Sequence, residues 1–281
     1  MNSKKRTTFL LIWLAVIALI VVGIVLLSPP AEKEETIQEV MKDAVLHDLN
    51  KVSFFGLEVN PSFASDWVIM GILITAAVLI RILVIPKFTE IPGKFQLVLE
   101  MLVGYFMDLG KKHSPHRNYF LCGYLTFAGC YIFFGTMFEL LGVQWITTEG
   151  HSISLPAPLS DINCAIAMGL TSYGVILFGG LIGNGLRGLG SALKEFSLPI
   201  SMSFRLFGAL LSGLLVTELV YYSMFLSIIL PIFVGVMFTM LHALIQTYVL
   251  TMLVATFYGE VNEKKKGEAQ VSTAAKVLAK V

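Results

Sequence analysis

The sequence predicts an all-α polytopic membrane protein, on three observations. Of its 281 residues, 56% are hydrophobic and only 14% are charged, where a soluble domain carries about a quarter. Several apolar runs reach the ~20 residues needed to cross a ~30 Å hydrocarbon core. None of them alternates in the ~10-residue pieces of a membrane barrel, so helices must satisfy the backbone.

Six spans are expected. They are Thr8–Leu27, Asp66–Ile85, Tyr119–Val143, Ile162–Ile182 and two longer segments near Phe196–Leu226 and Ile228–Tyr258. Lys4, Lys5 and Arg6 precede the first span, and Lys87, Lys94, Lys111, Lys112 and Arg117 separate the second from the third. Arg187 and Lys194 separate the fourth from the fifth, and Lys264–Lys266 follow the sixth. Segment 31–65 is instead mostly acidic, with Glu32, Glu34, Glu35, Glu39, Asp43, Asp48 and Glu58. The bias of basic residues places both termini in the cytoplasm, and an even number of spans agrees. The first span reads as an uncleaved anchor, because no small-x-small cleavage site follows it. The expected division is therefore an anchor (1–28), an extracytoplasmic segment (29–65), a membrane domain (66–260) and a cytoplasmic tail (261–281).

Between the second and third spans, Pro92 and Gly93 break the chain and an amphipathic helix follows. Phe95, Leu99, Leu102 and Phe106 lie on one side, with Lys94, Gln96, Glu100 and Asp108 elsewhere, a pattern suited to the inner interface. Loop 144–160 holds Pro156 and Pro158 and is expected to be irregular. A fifth helix running from about Ser191 to Leu226 would be about 50 Å long. Strong tilt or a kink near Pro199 is expected from that length.

Ionisable groups inside a membrane are costly and are functional candidates by default. Five stand out: Arg81, Glu139, Arg205, Glu218 and His242. Arg81 is near the inner end of its span and can snorkel. Glu139 and Glu218 fall towards the outer side, where an interfacial acid and a channel acid are equally good readings. His242 is mid-run, where a histidine bonded to its own helix competes with a proton carrier. Arg205 stays charged, and no acid occurs at i±3 or i±4. A net charge of +1 points to no nucleic-acid partner. Cys122, Cys130 and Cys164 have no metal-ligand spacing and read as packing residues, so neither a metal nor a cofactor is expected. There is no G-x-S-x-G, no H-E-x-x-H and no facing aspartate pair, which argues against an intramembrane hydrolase.

Four ordered motifs carry a resemblance. Ser197, Pro199, Ser201 and Ser203 precede Arg205-Leu206-Phe207-Gly208; Pro92-Gly93-Lys94-Phe95-Gln96 precedes Glu100; Pro158 precedes Asp161 and Asn163; and Ile245-Gln246-Thr247-Tyr248-Val249-Leu250-Thr251 closes the series. Over roughly residues 66–260 the chain resembles subunit a of F-type ATP synthases, the stator half of a rotary motor.

The resemblance implies a non-catalytic, ion-translocating subunit of a bacterial-type plasma membrane. Its implied partners are the c-ring, the peripheral-stalk subunit b, the rest of the complex, the lipid bilayer and a transported proton or sodium ion. Two offset half-channels would open to opposite sides, with Arg205 facing the ring between them. An arginine near a buried carboxyl favours its ionised form, so Arg205 would strip the ion from each arriving ring carboxyl. Gln246 would orient the guanidinium, and Gly208, Ala209, Ser212 and Gly213 would let the ring approach closely.

The chain departs from the family pattern in several places. Ala209 stands where asparagine is usual, Leu214 where glutamate or histidine is, and Thr239 where histidine or glutamate is. Ser191 replaces a frequent acid, with Glu195 a turn later, and Glu139 takes a usual asparagine position. With Arg205 set level with Gln246 on antiparallel helices, Glu218 and His242 lie about 13 Å apart along the axis. His242 instead falls near the level of Ala209. The expected arrangement is His242 beside Arg205, with Glu218 and Glu139 lining the outer half-channel. Two other readings are a secondary transporter binding an anion through Arg205, against which no internal repeat is seen, and an assembly scaffold that no longer conducts.

Overall fold

The computed structural model describes residues 51–54, 56–116, 118–148, 152–222 and 230–262. The expected first span, most of segment 29–65 and the tail beyond Asn262 lie outside the described residues. Among those described, four helical stretches are long and apolar enough to cross a membrane: Pro61–Lys87, Tyr119–Leu141, Ile162–Lys194 and Gly235–Asn262.

Asn60 starts the first of these. Its side-chain oxygen accepts a hydrogen bond from the Ser62 amide at 3.1 Å, and Pro61 follows at a position whose N–H would be unpaired anyway. Helix α1 (Pro61–Leu79) continues through a π-helical turn, Ile80–Val84, and a 3-10 turn, Ile85–Lys87. It begins five residues before the expected Asp66, because hydropathy does not register a cap. Ile72, Ile74, Val78 and Ile82 are all exposed on it, as for a helix that faces lipid. Arg81 is exposed near the C-terminal end of this stretch.

Two small hairpins precede and follow the early helices. β1 (Val52–Phe54) pairs antiparallel with β2 (Leu57–Val59), and β3 (Gln144–Ile146) with β4 (Ser152–Ser154). A bridge between Val52 and Thr147 joins them, and the Thr148 amide donates to the Lys51 carbonyl at 3.1 Å. The described part of loop 144–160 is thus more regular than expected, with strands at Gln144–Ile146 and Ser152–Ser154 and a 3-10 turn at Pro158–Ser160. Trp145 and Ile153 face each other across β3 and β4, which offsets the ordering of so short a ladder.

Helix α2 (Lys94–His113) covers the expected amphipathic segment. Phe106 and Gly110 are buried, whereas Phe95 is 60% and Leu102 39% exposed, so only part of the predicted apolar face packs on protein. The Phe106 ring covers Gly129 of α3 (Tyr119–Phe138), and Cys122 of α3 covers Gly110. Lys94, Glu100 and Asp108 are exposed.

Helix α4 (Ile162–Lys194) departs from a simple span. Asn184 (φ −124°, ψ 15°) and Gly185 (φ 60°, ψ −142°) leave helical geometry, and a positive φ of this kind favours glycine. The chain reverses there. The Tyr173 hydroxyl donates to the Ala192 carbonyl at 3.1 Å, and an added Cβ on Gly180 would lie 2.9 Å from the Gly188 oxygen. The second limb therefore returns along the first.

Helix α5 (Ser197–Tyr222, 26 residues) begins beside the embedded part of α4. Its described part is about 39 Å long, and it starts at Ser197 and not near Ser191, because the turn at Glu195–Phe196 separates it from α4. Pro199 lies in its first turn, where a missing N–H is harmless, so no kink is required. Its seat is tight: a Cβ on Gly169 of α4 would collide with Ser203 Oγ and lie 2.9 Å from the Pro199 oxygen. Pro158–Ser160, just before α4, also touches α5.

Helix α6 (Leu230–Asn262) packs on α2, α3, α4 and α5. Leu121, Leu125, Ile132, Ile176, Leu206 and Val254 are fully buried in the core these helices share. The C-terminal end of α6 is pinned at several points. The Tyr258 ring covers Gly179, Asn184 Nδ2 donates to the Val261 carbonyl at 2.8 Å, and Asn262 Nδ2 donates to Ser114 Oγ at 3.1 Å.

Candidate functional site

Helix α5 has two unlike faces. Leu198, Met202, Leu206 and Leu210 are buried at four-residue spacing, with Ser203 held against α4. Ser201, Phe204, Arg205, Gly208 and Ser212 are exposed and recur at i, i+3/i+4, i+7 and i+11, one continuous stripe. Arg205 makes no hydrogen bond or ion pair among the described residues. A permanent cation therefore stands on the open face of a largely apolar helix, beside Phe204 and with the small Ser201, Gly208 and Ser212 above and below it.

The small residues after Arg205 divide in two. Gly208 and Ser212 share its exposed stripe, while Ala209 and Gly213 are half-buried. Gly213 faces α6, where its added Cβ would lie 3.6 Å from His242 Nδ1. His242 thus stands one turn beyond the expected level of Ala209, because helical side chains lean towards the N-terminus and α6 runs antiparallel to α5. Its ring also lies against Phe238, with 5.4 Å between ring centroids.

One turn further along α6, Gln246 is only 6% exposed. Its Oε1 has no hydrogen-bond partner among the described residues, and no bond joins it to Arg205. A buried amide oxygen left unpaired costs about 1–3 kcal/mol, so Gln246 retains an acceptor for a donor that the described residues do not bring. Thr239, at the departed family position, is buried at 8% exposure.

The remaining predicted residues are scattered. Glu139 is half-buried in a 3-10 turn, Glu139–Leu141, that ends α3 and packs on α6. Glu218 falls on α5, but its side chain lies outside the described residues. Asp161 caps α4, accepting from the Asn163 amide at 2.7 Å, which gives it a structural role at the helix entrance. Asn163 is exposed one turn-edge away. Cys122 is buried, and Cys130 and Cys164 are half-buried; all three are free thiols.

One acid was missed by sequence reasoning. Asp66, counted as the edge of a span, lies inside α1 and accepts a hydrogen bond from the Tyr131 hydroxyl at 2.5 Å. The Asn60-Pro61 pair, a cap followed by proline, was the available signal. Tyr131→Phe removes the donor from this α1–α3 link. The expected loss is about 1–2 kcal/mol, read as a lower unfolding midpoint of the complex in detergent; an unchanged midpoint would show the bond contributes nothing.

Against known families, residues 67–259 match the family model described as ATP synthase A chain.

Proposed function

Since the chain belongs to the ATP synthase A chain family, a non-catalytic membrane-sector component of ATP synthesis and ion transport, we propose that it is the stator subunit whose Arg205 meets the c-ring. The observation that carries this reading is the exposed Arg205, without a partner among the described residues, in its stripe of Ser201, Gly208 and Ser212. A fixed charge on an embedded face is costly unless an opposite charge reaches it. The missing counter-ion is a ring carboxyl, renewed at each step.

Arg205 holds the passing carboxyl in its ionised form, since the nearby positive charge offsets desolvation. The same charge repels a proton or sodium ion attempting to cross directly between half-channels. Gln246, with its free amide oxygen, accepts from the guanidinium when the ring is present. Gly208 and Ser212 form the surface along which the ring slides. Ala209 and Gly213 are half-buried, with Gly213 beside His242 of α6, so they give the ring less surface than Gly208 and Ser212. The chain sits in a bacterial-type plasma membrane with both termini cytoplasmic, and subunit b is its peripheral-stalk neighbour.

Glu139 and Glu218 line the outer half-channel, and His242 supplies a titratable group between that path and Arg205. His242→Leu is expected to shift the pH dependence of ATP-driven pumping and to lower its rate severalfold. An identical pH profile would remove His242 from the path. Glu139→Gln combined with Glu218→Gln is expected to slow pumping at least tenfold while ATP hydrolysis by the soluble sector persists; normal pumping would refute the outer pathway.

The reading as a whole is tested with vesicles. The assembled complex should acidify or load them on ATP addition, whereas the isolated chain should move nothing vectorially. Concentrative anion uptake by the isolated chain would favour a secondary transporter instead.

A further inference from the structure

A cavity of about 490 Å³ opens between the inner end of α1 and the start of α2. Leu83, Val84, Phe88 and Phe95 form its apolar wall, and Lys87 and Lys94 stand on its rim with Thr89 and Gln96. Both lysines are exposed, and neither has an ion pair or hydrogen bond among the described residues.

The intervening loop is held in shape by the chain itself. Gln96 accepts from the Thr89 amide at 3.3 Å, and its Nε2 donates to the Thr89 carbonyl at 3.0 Å. The same Nε2 donates to Glu100 at 2.7 Å, and the Thr89 hydroxyl donates to the Ile91 carbonyl at 2.8 Å. This accounts for the spacing of glutamine and glutamate after Pro92-Gly93: they clamp a loop. Neither Glu90 nor Glu100 lines the cavity, and among the described residues no acid forms an ion pair with either lysine.

The geometry points to this cavity as a binding site for an anionic phospholipid, its phosphate held by Lys87 and Lys94 and its acyl chain lying on Leu83 and Phe95. Three features select a lipid over a soluble anion. The cavity is at the inner end of a membrane-crossing helix; its wall is apolar; and Leu83 and Phe95 remain 54% and 60% exposed, a surface that a free phosphate would leave wet. Two lysines near a membrane surface each attract anionic headgroups, and together they account for a preference of about tenfold over zwitterionic lipid. The inference does not depend on how Arg205 works.

Photoactivatable phosphatidylglycerol and phosphatidylcholine probes, applied to the assembled wild-type complex in detergent, test it. The expected result is labelling of the peptide spanning residues 83–96 that is about tenfold stronger with the anionic probe. Excess inorganic phosphate should leave that labelling in place. Lys87→Gln with Lys94→Gln should abolish the preference, and Lys87→Arg with Lys94→Arg should retain it. Equal labelling by the two probes, absence of label from this peptide, displacement by inorganic phosphate, or a preference surviving the glutamine pair would each overturn the assignment. The comparison of probes on the wild type stands even if the glutamine pair fails to assemble.

Discussion

Arg205→Ala is expected to reduce both ATP synthesis and ATP-driven ion pumping to background in reconstituted vesicles, with the complex still assembled. The size of the effect follows from electrostatics. A guanidinium about 4 Å from a carboxylate contributes about 4 kcal/mol at an effective dielectric of ~20. That is about a thousandfold in the ionisation of the ring carboxyl. Without it the carboxyl stays neutral, keeps its ion, and no directional step follows. Arg205→Lys should rescue little, since an ammonium lacks the planar fork and loses its proton readily when desolvated. Assembly should survive because, among the described residues, Arg205 makes no bond whose loss would unfold α5. Coupled synthesis within a few-fold of wild type in Arg205→Ala would remove the arginine from the mechanism.

Gly169→Leu is expected to be the most damaging substitution away from the arginine. A Cβ there already collides with Ser203 Oγ and comes 2.9 Å from the Pro199 oxygen and 3.2 Å from the Ser203 nitrogen. Two of those atoms are backbone, so the strain cannot be relieved by a rotamer change. Overpacking of this kind costs about 1–3 kcal/mol, and more where backbone must move. The helix forced away is α5, and Ser203 is only two residues from Arg205. The variant should therefore lose pumping together with stability, seen as a lower yield of intact complex and a lower unfolding midpoint. Gly169→Ala should be intermediate. If Gly169→Leu assembled and pumped normally, the α4–α5 seat described above would be incorrect.

The comparison of these two positions shows what a sequence can and cannot convey. Arg205 was legible because a permanent charge inside an apolar run is a local anomaly, visible without knowing any partner. Gly169 was not: one glycine among 24 acquires meaning only when a second helix arrives against it. The membrane class and the positions of α3, α6 and the first limb of α4 were likewise legible, since hydropathy runs report burial in lipid directly. The reversal at Asn184–Gly185 fell just past Ile182, where the fourth span was expected to end, so it was taken into the connection to the next span. Its return along α4 depends on the Gly180–Gly188 approach, a tertiary contact. The site shows the same division. The identities of Gln246 and His242 were readable, but the facing of His242 on Gly213 required the lean of a side chain across two antiparallel helices. Asp66 and Tyr131 are 65 residues apart, and no local pattern links them.

The central claim is that the exposed stripe of α5 faces the ring and supplies Arg205 with its counter-ion. Cysteine cross-linking in membranes holding the intact complex tests this most directly. A ring subunit carrying one cysteine beside its carboxyl is paired with Gly208→Cys, Ser212→Cys or, on the buried face, Leu206→Cys. The account predicts disulfide formation at Gly208 and Ser212 on mild oxidation. It predicts none at Leu206, which is 1% exposed, and none for the parent chain with only Cys122, Cys130 and Cys164. Cross-linking at Leu206 with none at Gly208 or Ser212 would contradict it.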